Sequence, residues 1–323
     1  MSIIIQPFEA TDSEYETIVA IKNAVWPDQF VTVETRQHWD KSRQPGYLFE
    51  RELIKKDGQI VAFGSYAQLI WSFHPRKYWV DLAVHPDYER QGIGSAYYEH
   101  IMSLLAERDP IAITATTRED KTQGIEFLRK RGFEQVMREA RSELKVATFD
   151  HANFAGVLEK VRAQGIQIVS IRQLAEIDSN WKRNLYEAEW EIEQDVPSPD
   201  PSVKRSFRSF KKRSLGSPIL LPDAWFVALD QGRYVGMSIL WRSGNKDKLD
   251  TGLTGVVRTH RRRGIATAMK LHAIQFAQQY GAKIIVTENE ENNPMYQLNL
   301  NLGFRPISAW LEFEKKLKDE RAE

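Results

Sequence analysis

Two short glycine-containing segments of the chain have the composition of anion-binding loops. Gly92 and Gly94 stand in the first, and Gly264 and Ala266 stand in the second. Each segment follows a predicted strand and opens a predicted helix, so its amides point outward at a helix N-terminus, where N–H groups are unpaired and carry partial positive charge. We interpret both as pyrophosphate-binding loops. The alternative is a tight turn between strand and helix in which the glycines serve packing alone.

The residues around these loops exclude two familiar nucleotide motifs. A dinucleotide-binding fingerprint needs a third small residue where Tyr97 stands, and an acidic residue at the end of the next strand, where residues 111–116 contain none. A phosphate loop of the nucleotide-hydrolase type needs Gly-Lys-Ser/Thr, which neither segment contains. The loops therefore belong to neither class.

Composition limits the remaining chemistry. The 323 residues include no cysteine, which excludes disulfides, thiolate catalysis and thiolate metal sites, and the seven histidines show no metal-ligand spacing. With 45 Lys and Arg residues against 44 Asp and Glu residues, no charge excess indicates a nucleic-acid or membrane partner. The start of the chain lacks the pattern of a signal peptide, and no apolar stretch is long enough to span a bilayer. We expect a cytoplasmic protein without membrane spans or a metal.

The sequence repeats itself at a lag of about 170 residues. Three glycine segments recur in the same order, those around Gly58 and Gly232, Gly92 and Gly264, and Gly132 and Gly303. We interpret this repeat as two copies of one domain in tandem, residues 1–148 and 149–323, with residues 149–165 as a connecting helix.

Hydrophobic periodicity and turn residues predict an α/β fold, a mixed α+β sandwich, in each copy: a central mixed sheet flanked by helices. The first copy has predicted strands at 3–5, 47–56, 59–71, 78–84, 111–116 and from 133 onward, and predicted helices at 12–25, 92–107 and 121–131. Asp12 is the predicted N-cap of the first helix. The second copy has predicted strands at 166–170, 225–230, 233–241, 253–258, 283–287 and 310–315, and predicted helices at 181–193, 265–280 and 294–302.

The loops resemble the acetyl-CoA loop of the GNAT superfamily of N-acetyltransferases, Arg/Gln-x-x-Gly-x-Gly/Ala. Residues 261–266, Arg-Arg-Arg-Gly-Ile-Ala, fit this pattern fully, whereas residues 89–94 fit except at Glu89. Residues 81–86 resemble the family's splayed central strand, and Gly-Phe at 132–133 and 303–304 resembles its closing pair. Residues 254–256, 287–289 and 292–304 are most similar to the second half of tandem members such as mycothiol synthase. This likeness does not fix the acceptor.

The resemblance implies direct transfer of an acetyl group from acetyl-CoA to a primary amine of a small molecule. It implies that loop amides hold the pyrophosphate, that the pantetheine arm pairs with the strand before each loop, and that one amide of that strand polarises the thioester carbonyl. The residues implied to contact acetyl-CoA in the first copy are Leu82, Ala83, Val84, Arg90, Gln91, Gly92, Ile93, Gly94 and Ser95. Those in the second copy are Gly255, Val256, Val257, Arg261, Arg262, Arg263, Gly264, Ile265, Ala266, Thr267, Asn289 and Asn292.

Two proton transfers also need side chains. The family often places a tyrosine four residues before the closing glycine, where this chain has Leu128 and Asn299. Tyr296, one helical turn before Asn299, is the substitute candidate for the acid, unless it is a tyrosine half-buried against the sheet. Asp81, Glu288 and Glu290 are candidate bases, unless they are solvated surface carboxylates. The complete second loop and Tyr296 lead us to expect catalysis in the C-terminal copy.

The strongest local charge feature is a basic run at residues 204–213, with six basic side chains among ten residues. An anionic acceptor, the 3′-phosphate of the cofactor and a nucleic acid are three possible ligands for it. We favour a solvated helix face with Phe207 and Phe210 turned inward, and we expect no nucleic-acid partner.

The alternative to catalysis is an acetyl-CoA-binding sensor or structural protein, which Glu89 and the missing tyrosines favour. The oligomeric state stays open.

Overall fold

Strands and helices alternate along the chain in an order that occurs twice, as the glycine spacing predicts. The structure is a computed structural model that describes residues 2–70, 72–198 and 200–318. The chain forms two units: the N-terminal unit comprises Met1–Arg138, Pro199–Arg205 and Ala309–Glu323, and the C-terminal unit comprises Glu139–Ser198 and Ser206–Ser308. Each unit has a mixed sheet flanked by helices, which confirms the predicted mixed α/β fold.

The N-terminal unit contains strands β1 to β5, which are Ile3–Pro7, Phe49–Lys56, Gln59–Ala67, Lys77–Val84 and Ala112–Arg118. Its helices α1 to α4 are Asp12–Val25, Val33–Lys41, Ile93–Ala106 and Thr122–Arg129. The strands lie side by side in chain order, antiparallel except for β4 and β5, which run parallel. The apolar periodicity that predicts this helix is formed by Ile93, Tyr97, Ile101, Leu104 and Leu105; Leu104 packs partly buried against one core, in which the other four are buried.

Local capping sets the start of α1. The N-cap is Thr11, so the prediction of Asp12 is wrong by one residue. The Thr11 hydroxyl accepts from the Glu14 amide at 3.3 Å, and the Glu14 carboxylate accepts from the Thr11 amide at 3.3 Å. This reciprocal pair is a capping box, and Asp12 then lies in the first turn, where the helix dipole favours a negative charge.

The C-terminal unit contains strands β6 to β11, which are Glu134–Lys145, Ile166–Ser170, Leu220–Asp230, Arg233–Arg242, Lys248–Val256 and Ile284–Glu290. Residues 139–145 of β6 belong to this unit and pair with β11. Its helices α5 to α10 are Val157–Ala163, Ile171–Ile177, Trp181–Glu193, Phe207–Phe210, Ile265–Tyr280 and Pro294–Asn301. The strand order is β6-β11-β10-β9-β8-β7, with β10 parallel to β11.

The last strand along the chain returns to the N-terminal unit. This strand, β12, is Arg305–Lys316, and its residues 310–316 pair antiparallel with residues 112–118 of β5. The sheet of the N-terminal unit is therefore closed on one side by residues that follow the whole C-terminal unit. The division of the repeat at residue 149 stays a prediction, and the two units interleave along the chain.

Two segments between the main elements differ from expectation. Residues 149–165 do not form one helix: His151–Phe154 is a 3₁₀ turn, and α5 begins only after Gly156, which has a φ of 79°. In the basic run, α8 continues into a π-helical turn at Lys211–Leu215. Phe210 is fully buried and Phe207 packs against the same core, which confirms the inward-facing aromatics. No helix among the described residues is long and apolar enough to cross a membrane.

Candidate active site

A gap opens between the two parallel strands of the N-terminal unit. β4 and β5 pair only from Lys77 with Ala112 to Trp79 with Thr114, although both strands continue beyond these residues. The His85 amide donates to the Val61 carbonyl of β3 at 2.9 Å. Because amides alternate in direction along a strand, those of Leu82 and Val84 point away from β3 and into the gap.

The loop that follows β4 presents an open backbone at the N-terminus of α3. Arg90 and Gly92 both have positive φ, 60° and 83°, and Gly92 is the N-cap of α3 without a capping side chain. A Cβ added at Gly92 would meet no atom within 4 Å, whereas one at Gly94 would press on Phe127 at 3.0 Å. Gly92 therefore leaves space for an anion, and Gly94 is required for packing.

The loop and the gap belong to one cleft of about 650 Å³. The predicted residues that line it are Asp81, Leu82, Val84, Arg90, Gly92, Ile93, Gly94 and Ser95. Two residues that the resemblance implies to contact acetyl-CoA, Ala83 and Gln91, do not line this cleft. Ala83 is buried in the core formed with α1, and the Gln91 side chain bonds to the Asp87 carbonyl at 3.0 Å and to the Lys56 ammonium. The cleft joins the anion-binding loop to the end of the gap where Asp81 lies.

Asp81 is half-buried in this cleft, so it is not a solvated surface carboxylate. Burial raises the pKa of its carboxyl, while the nearby cations of Arg36, Lys22 and Arg51 and a hydrogen bond from the Leu82 amide oppose the rise. Burial also lowers the pKa of Lys22 to about 8. A carboxyl with a raised pKa can accept a proton near neutral pH more readily than an ordinary aspartate.

Sequence reasoning missed two side chains of the cleft. Arg131 donates to the Ser95 hydroxyl at 2.8 Å and stacks on Phe127 at 3.6 Å, which fixes a guanidinium beside the loop. The Tyr98 phenol lines the cleft and accepts from the Lys315 ammonium at 2.8 Å. Arg131 directly precedes the predicted closing glycine, so the sequence could have indicated that it lies near the loop. Lys315 lies 217 residues from Tyr98 along the chain, so no local pattern could have indicated their contact.

The second loop has the same backbone conformation as the first loop, but different residues surround it. Arg262 and Gly264 have φ values of 61° and 81°, which reproduce the first loop. The residue equivalent to Asp81 is Leu253, by the spacing of Gly92 and Gly264. Val161 of α5 lies 3.5 Å from the position of a Cβ on Gly264. The C-terminal unit therefore keeps the loop and lacks the carboxylate.

The arginines and the strand beside the second loop are already in contact with protein groups. Arg261 donates to the Val256 carbonyl at 3.0 Å and pairs with Asp195, and Arg263 bonds to Gln164 at 2.9 Å. A Cβ on Gly255 would collide with Ile192 of α7. Val256 and Val257 are buried, Ile265 is buried under the loop, and Ala266 packs against the core, with Thr267 following on α9.

The remaining predicted residues lie at the end of β11 and the start of α10. Glu288 is exposed and bonds to buried Arg141 at 3.0 Å. Asn289 accepts from the buried Asn299 amide at 2.8 Å, and Asn292 bonds to Glu290 before α10 begins. Tyr296 is half-buried in the first turn of α10. These residues belong to the C-terminal unit, whereas the residues that line the cleft with Asp81 all belong to the N-terminal unit.

Comparison with known proteins assigns the family. The model of the acetyltransferase (GNAT) family matches residues 10–133 and 183–304, which is more than half of the chain. The chain belongs to the acetyltransferase (GNAT) family. Members of this family are acyltransferases that use acetyl-CoA as the donor. In this GNAT protein the two matched regions contain the two loops. Within its described residues, no group of His, Asp and Glu side chains is arranged to hold a metal ion.

Solved structures share the fold of this GNAT protein over nearly its whole length. A tandem GNAT protein from the clavulanic acid biosynthesis pathway has a TM-score of 0.74 and 18% identity, covering 99% of this chain and 100% of that chain. A GCN5-related N-acetyltransferase from Sphaerobacter thermophilus has a TM-score of 0.68 and 16% identity, covering 98% and 96%. Identities this low show the fold alone. No curated protein matches the sequence of the chain at a significant level.

Proposed function

We propose that this GNAT protein transfers an acetyl group from acetyl-CoA to a primary amine of a small molecule, and that the reaction takes place in the N-terminal unit. One observation carries the proposal: a single cleft contains both the open loop at Gly92 and Asp81, a carboxyl whose pKa burial raises. A site that positions the donor and a base for the amine are what direct transfer needs. Leu253 cannot act as a base in the C-terminal unit.

The loop and its neighbours are expected to position the donor. Acetyl-CoA supplies the thioester whose acetyl group is transferred. The amides of residues 93–95 are expected to bind its pyrophosphate, because a helix N-terminus offers unpaired N–H groups and favours negative charge. Arg131 adds a positive charge held in place by Ser95 and Phe127. These contacts would keep the thioester end directed along β4 toward Asp81.

Polar groups of the gap are expected to assist the attack. The strand amides of Leu82 and Val84 point into the gap. The Leu82 amide already bonds to the Asp81 carboxyl, so the Val84 amide is the expected N–H donor that stabilises the negative charge developing on the carbonyl oxygen. Asp81 is expected to take the proton that the amine loses. Tyr98 is the expected source of the proton for the leaving thiolate, because Lys315 donates to its oxygen and leaves the phenol hydrogen available.

Asp81→Asn tests this proposal. Acetyl-CoA binding, measured by calorimetry, is expected to persist, since the substitution removes no contact of the loop. Turnover, followed as release of free CoA thiol over a panel of small primary amines, is expected to fall by about 10²–10⁴-fold. Asp57→Asn is the matched control, since Asp57 is exposed in the turn between β2 and β3. Full turnover in Asp81→Asn combined with its loss in Tyr296→Phe would place the chemistry in the C-terminal unit instead.

A further inference from the structure

We propose that the acceptor carries a carboxylate as well as an amine, and that Lys121 binds this carboxylate beside the indole ring of Trp26. The inference rests on the proposed function, because it assigns the acceptor of the same cleft. Trp26, Asp81 and Lys121 all line that cleft. Trp26 lies at the end of α1, and half-buried Lys121 lies at the start of α4. An acceptor whose amine reaches Asp81 therefore has Lys121 and Trp26 in the same cleft.

Three cationic side chains surround the Trp26 ring. The Lys121 ammonium lies 5.2 Å from the ring centroid, the Lys22 ammonium 5.8 Å and the Arg118 guanidinium carbon 5.1 Å. The ring itself is held edge-to-face against Trp310, with centroids 4.7 Å apart. An aromatic face attracts these cations without neutralising their charge. The ring therefore gathers positive charge at the acceptor end of the cleft.

Arg118 is bonded directly to carboxylates, whereas Lys22 and Lys121 interact with carboxylates only at longer range, Lys22 with Asp81 and Lys121 with Asp120. Arg118 donates to both oxygens of Asp28 at 2.7 and 2.8 Å, and to both oxygens of Asp120 at 2.6 and 2.8 Å. Neither Lys22 nor Lys121 has a carboxylate within salt-bridge distance in the part of the chain that the structure describes. Two ammonium groups at the ring therefore lack a directly bonded counter-charge.

The charge balance of the cleft favours a zwitterionic acceptor. The amine enters as an ammonium and is matched by Asp81. Lys22 acts on Asp81, whereas Lys121 lines the cleft without a directly bonded carboxylate, so Lys121 is the cation that the rest of the substrate can match. A carboxylate on the same small molecule does this, and Lys121 attracts it at short range. A second ammonium would be repelled by the same field. The geometry therefore points to an acceptor of the amino-acid type and disfavours polyamines.

Matched pairs of amines test this inference in the full-length protein with acetyl-CoA. The twenty standard L-amino acids are assayed first, and each one that reacts is compared with its carboxamide, such as L-leucine with L-leucinamide, and with putrescine. We expect wild type to favour the acid of each pair in kcat/KM by about tenfold or more, as expected for a charge-assisted contact. Lys121→Ala is expected to raise the KM of the acid and to leave that of the amide unchanged. Lys160→Ala, an exposed lysine on α5, is the control.

Two results would overturn the inference and leave acetyl transfer standing. One is equal kcat/KM for acid and amide in wild type, and the other is a preference for the acid that Lys121→Ala leaves unchanged. If no amino acid is acetylated, calorimetry with the CoA-bound protein decides. Heat of binding for an amino acid that Lys121→Ala abolishes supports the inference, and no heat from any of the twenty overturns it. Failure of the proposed function is separate, since it appears as no turnover with any amine.

Discussion

Asp81, the proposed base, is buried at a cost to the stability of the fold. Burial works against its charge, and the three nearby cations only partly restore it. A carboxyl with a pKa raised by folding binds a proton more tightly in the native state than in the unfolded state, so its charged form destabilises the native state. The proposed role of Asp81 as a base and the stability of the fold therefore favour opposite changes at this residue.

Asp81→Asn is accordingly expected to raise the melting temperature while it lowers turnover. The gain is expected to be absent below the ordinary aspartate pKa of 3.8, where wild type is protonated in both states. It grows as the pH rises from 3.8 to the raised pKa, where only the unfolded state has lost its proton, and it stays constant above the raised pKa. Thermal unfolding between pH 3 and 8 measures this, and the acid limb of wild-type kcat/KM is expected in the same range. A gain that does not depend on pH would contradict the assignment.

Lys270 of the C-terminal unit is also a buried ionisable residue whose charged form destabilises the native state. Burial lowers the pKa of its ammonium from 10.5 to about 7, and the group lies 5.6 Å from the Phe304 ring centroid. Between these two values the unfolded state holds a proton that the folded state has lost, so stability rises with pH across this range. Below pH 7 the full cost of burying the charge is present.

Lys270→Met is therefore expected to raise the melting temperature most below pH 7 and very little near pH 10.5. Methionine has a similar length and no charge, so it suits the buried position. Differential scanning calorimetry across this pH range gives the measurement. Lys160→Met provides the control at an exposed position of α5. An equal gain at both ends of the range would show that packing, and not charge, is responsible.

At the scale of elements, the two loops are expected to share acetyl-CoA binding and to differ in their effect on turnover. Their backbones match, with φ values of 83° at Gly92 and 81° at Gly264. Gly92→Asp and Gly264→Asp each place a negative charge in one anion site. We expect the first to abolish turnover, and the second to remove one equivalent of bound acetyl-CoA while turnover persists.

Calorimetric stoichiometry and thiol release separate these outcomes. Gly58→Asp is the matched control for strain alone, because Gly58 has a φ of 85° in a hairpin turn with no atom near its Cβ position. If Gly264→Asp abolishes turnover and Gly92→Asp does not, the C-terminal unit is the catalytic one, as the loop pattern alone suggested. Retention of a second binding site without turnover would fit an acetyl-CoA sensor in the C-terminal unit.

Local signals in the sequence predicted most of the elements. The helices α7 and α9 have the predicted bounds, because apolar periodicity and turn residues define them within their own segments. The strand β12 begins five residues before its predicted start, at Arg305, since the length of a strand depends on partners elsewhere in the chain. Helices α2 and α6 were not predicted.

The candidate site also has one part that local sequence predicts and another part that depends on residues distant along the chain. The loop at Gly92 was predictable, because glycine spacing between a strand and a helix is a local pattern. The surroundings of Asp81 were not, because Lys22 and Arg36 come from helices that precede it by more than 40 residues. The sequence therefore showed where the donor is expected to bind, and left open which carboxylate is buried beside it.

At the scale of the whole molecule, residues 1–148 are expected not to fold alone. This fragment lacks residues 310–316 of β12, and with them the partner of β5 along its length. It also lacks Trp310, which supports Trp26. An unpaired edge at β5 favours association between chains. Circular dichroism on heating and light scattering measure this, with the full-length chain as control. Cooperative unfolding of the fragment at the melting temperature of the full chain would contradict the expectation.

The placement of β12 also affects the order in which a growing chain can mature on the ribosome. Residues 139–308 contain all of the C-terminal unit and emerge before residues 310–316 of β12, which close the sheet of β1 to β5. The half that is translated first is therefore the half that finishes folding last, and it waits with an open edge in the meantime. A chain that stops short of residue 309 is expected to form the C-terminal unit and to lack the strand that closes the sheet of the N-terminal unit. If the reaction takes place in the N-terminal unit, as proposed, acetyl transfer begins only after translation has passed β12.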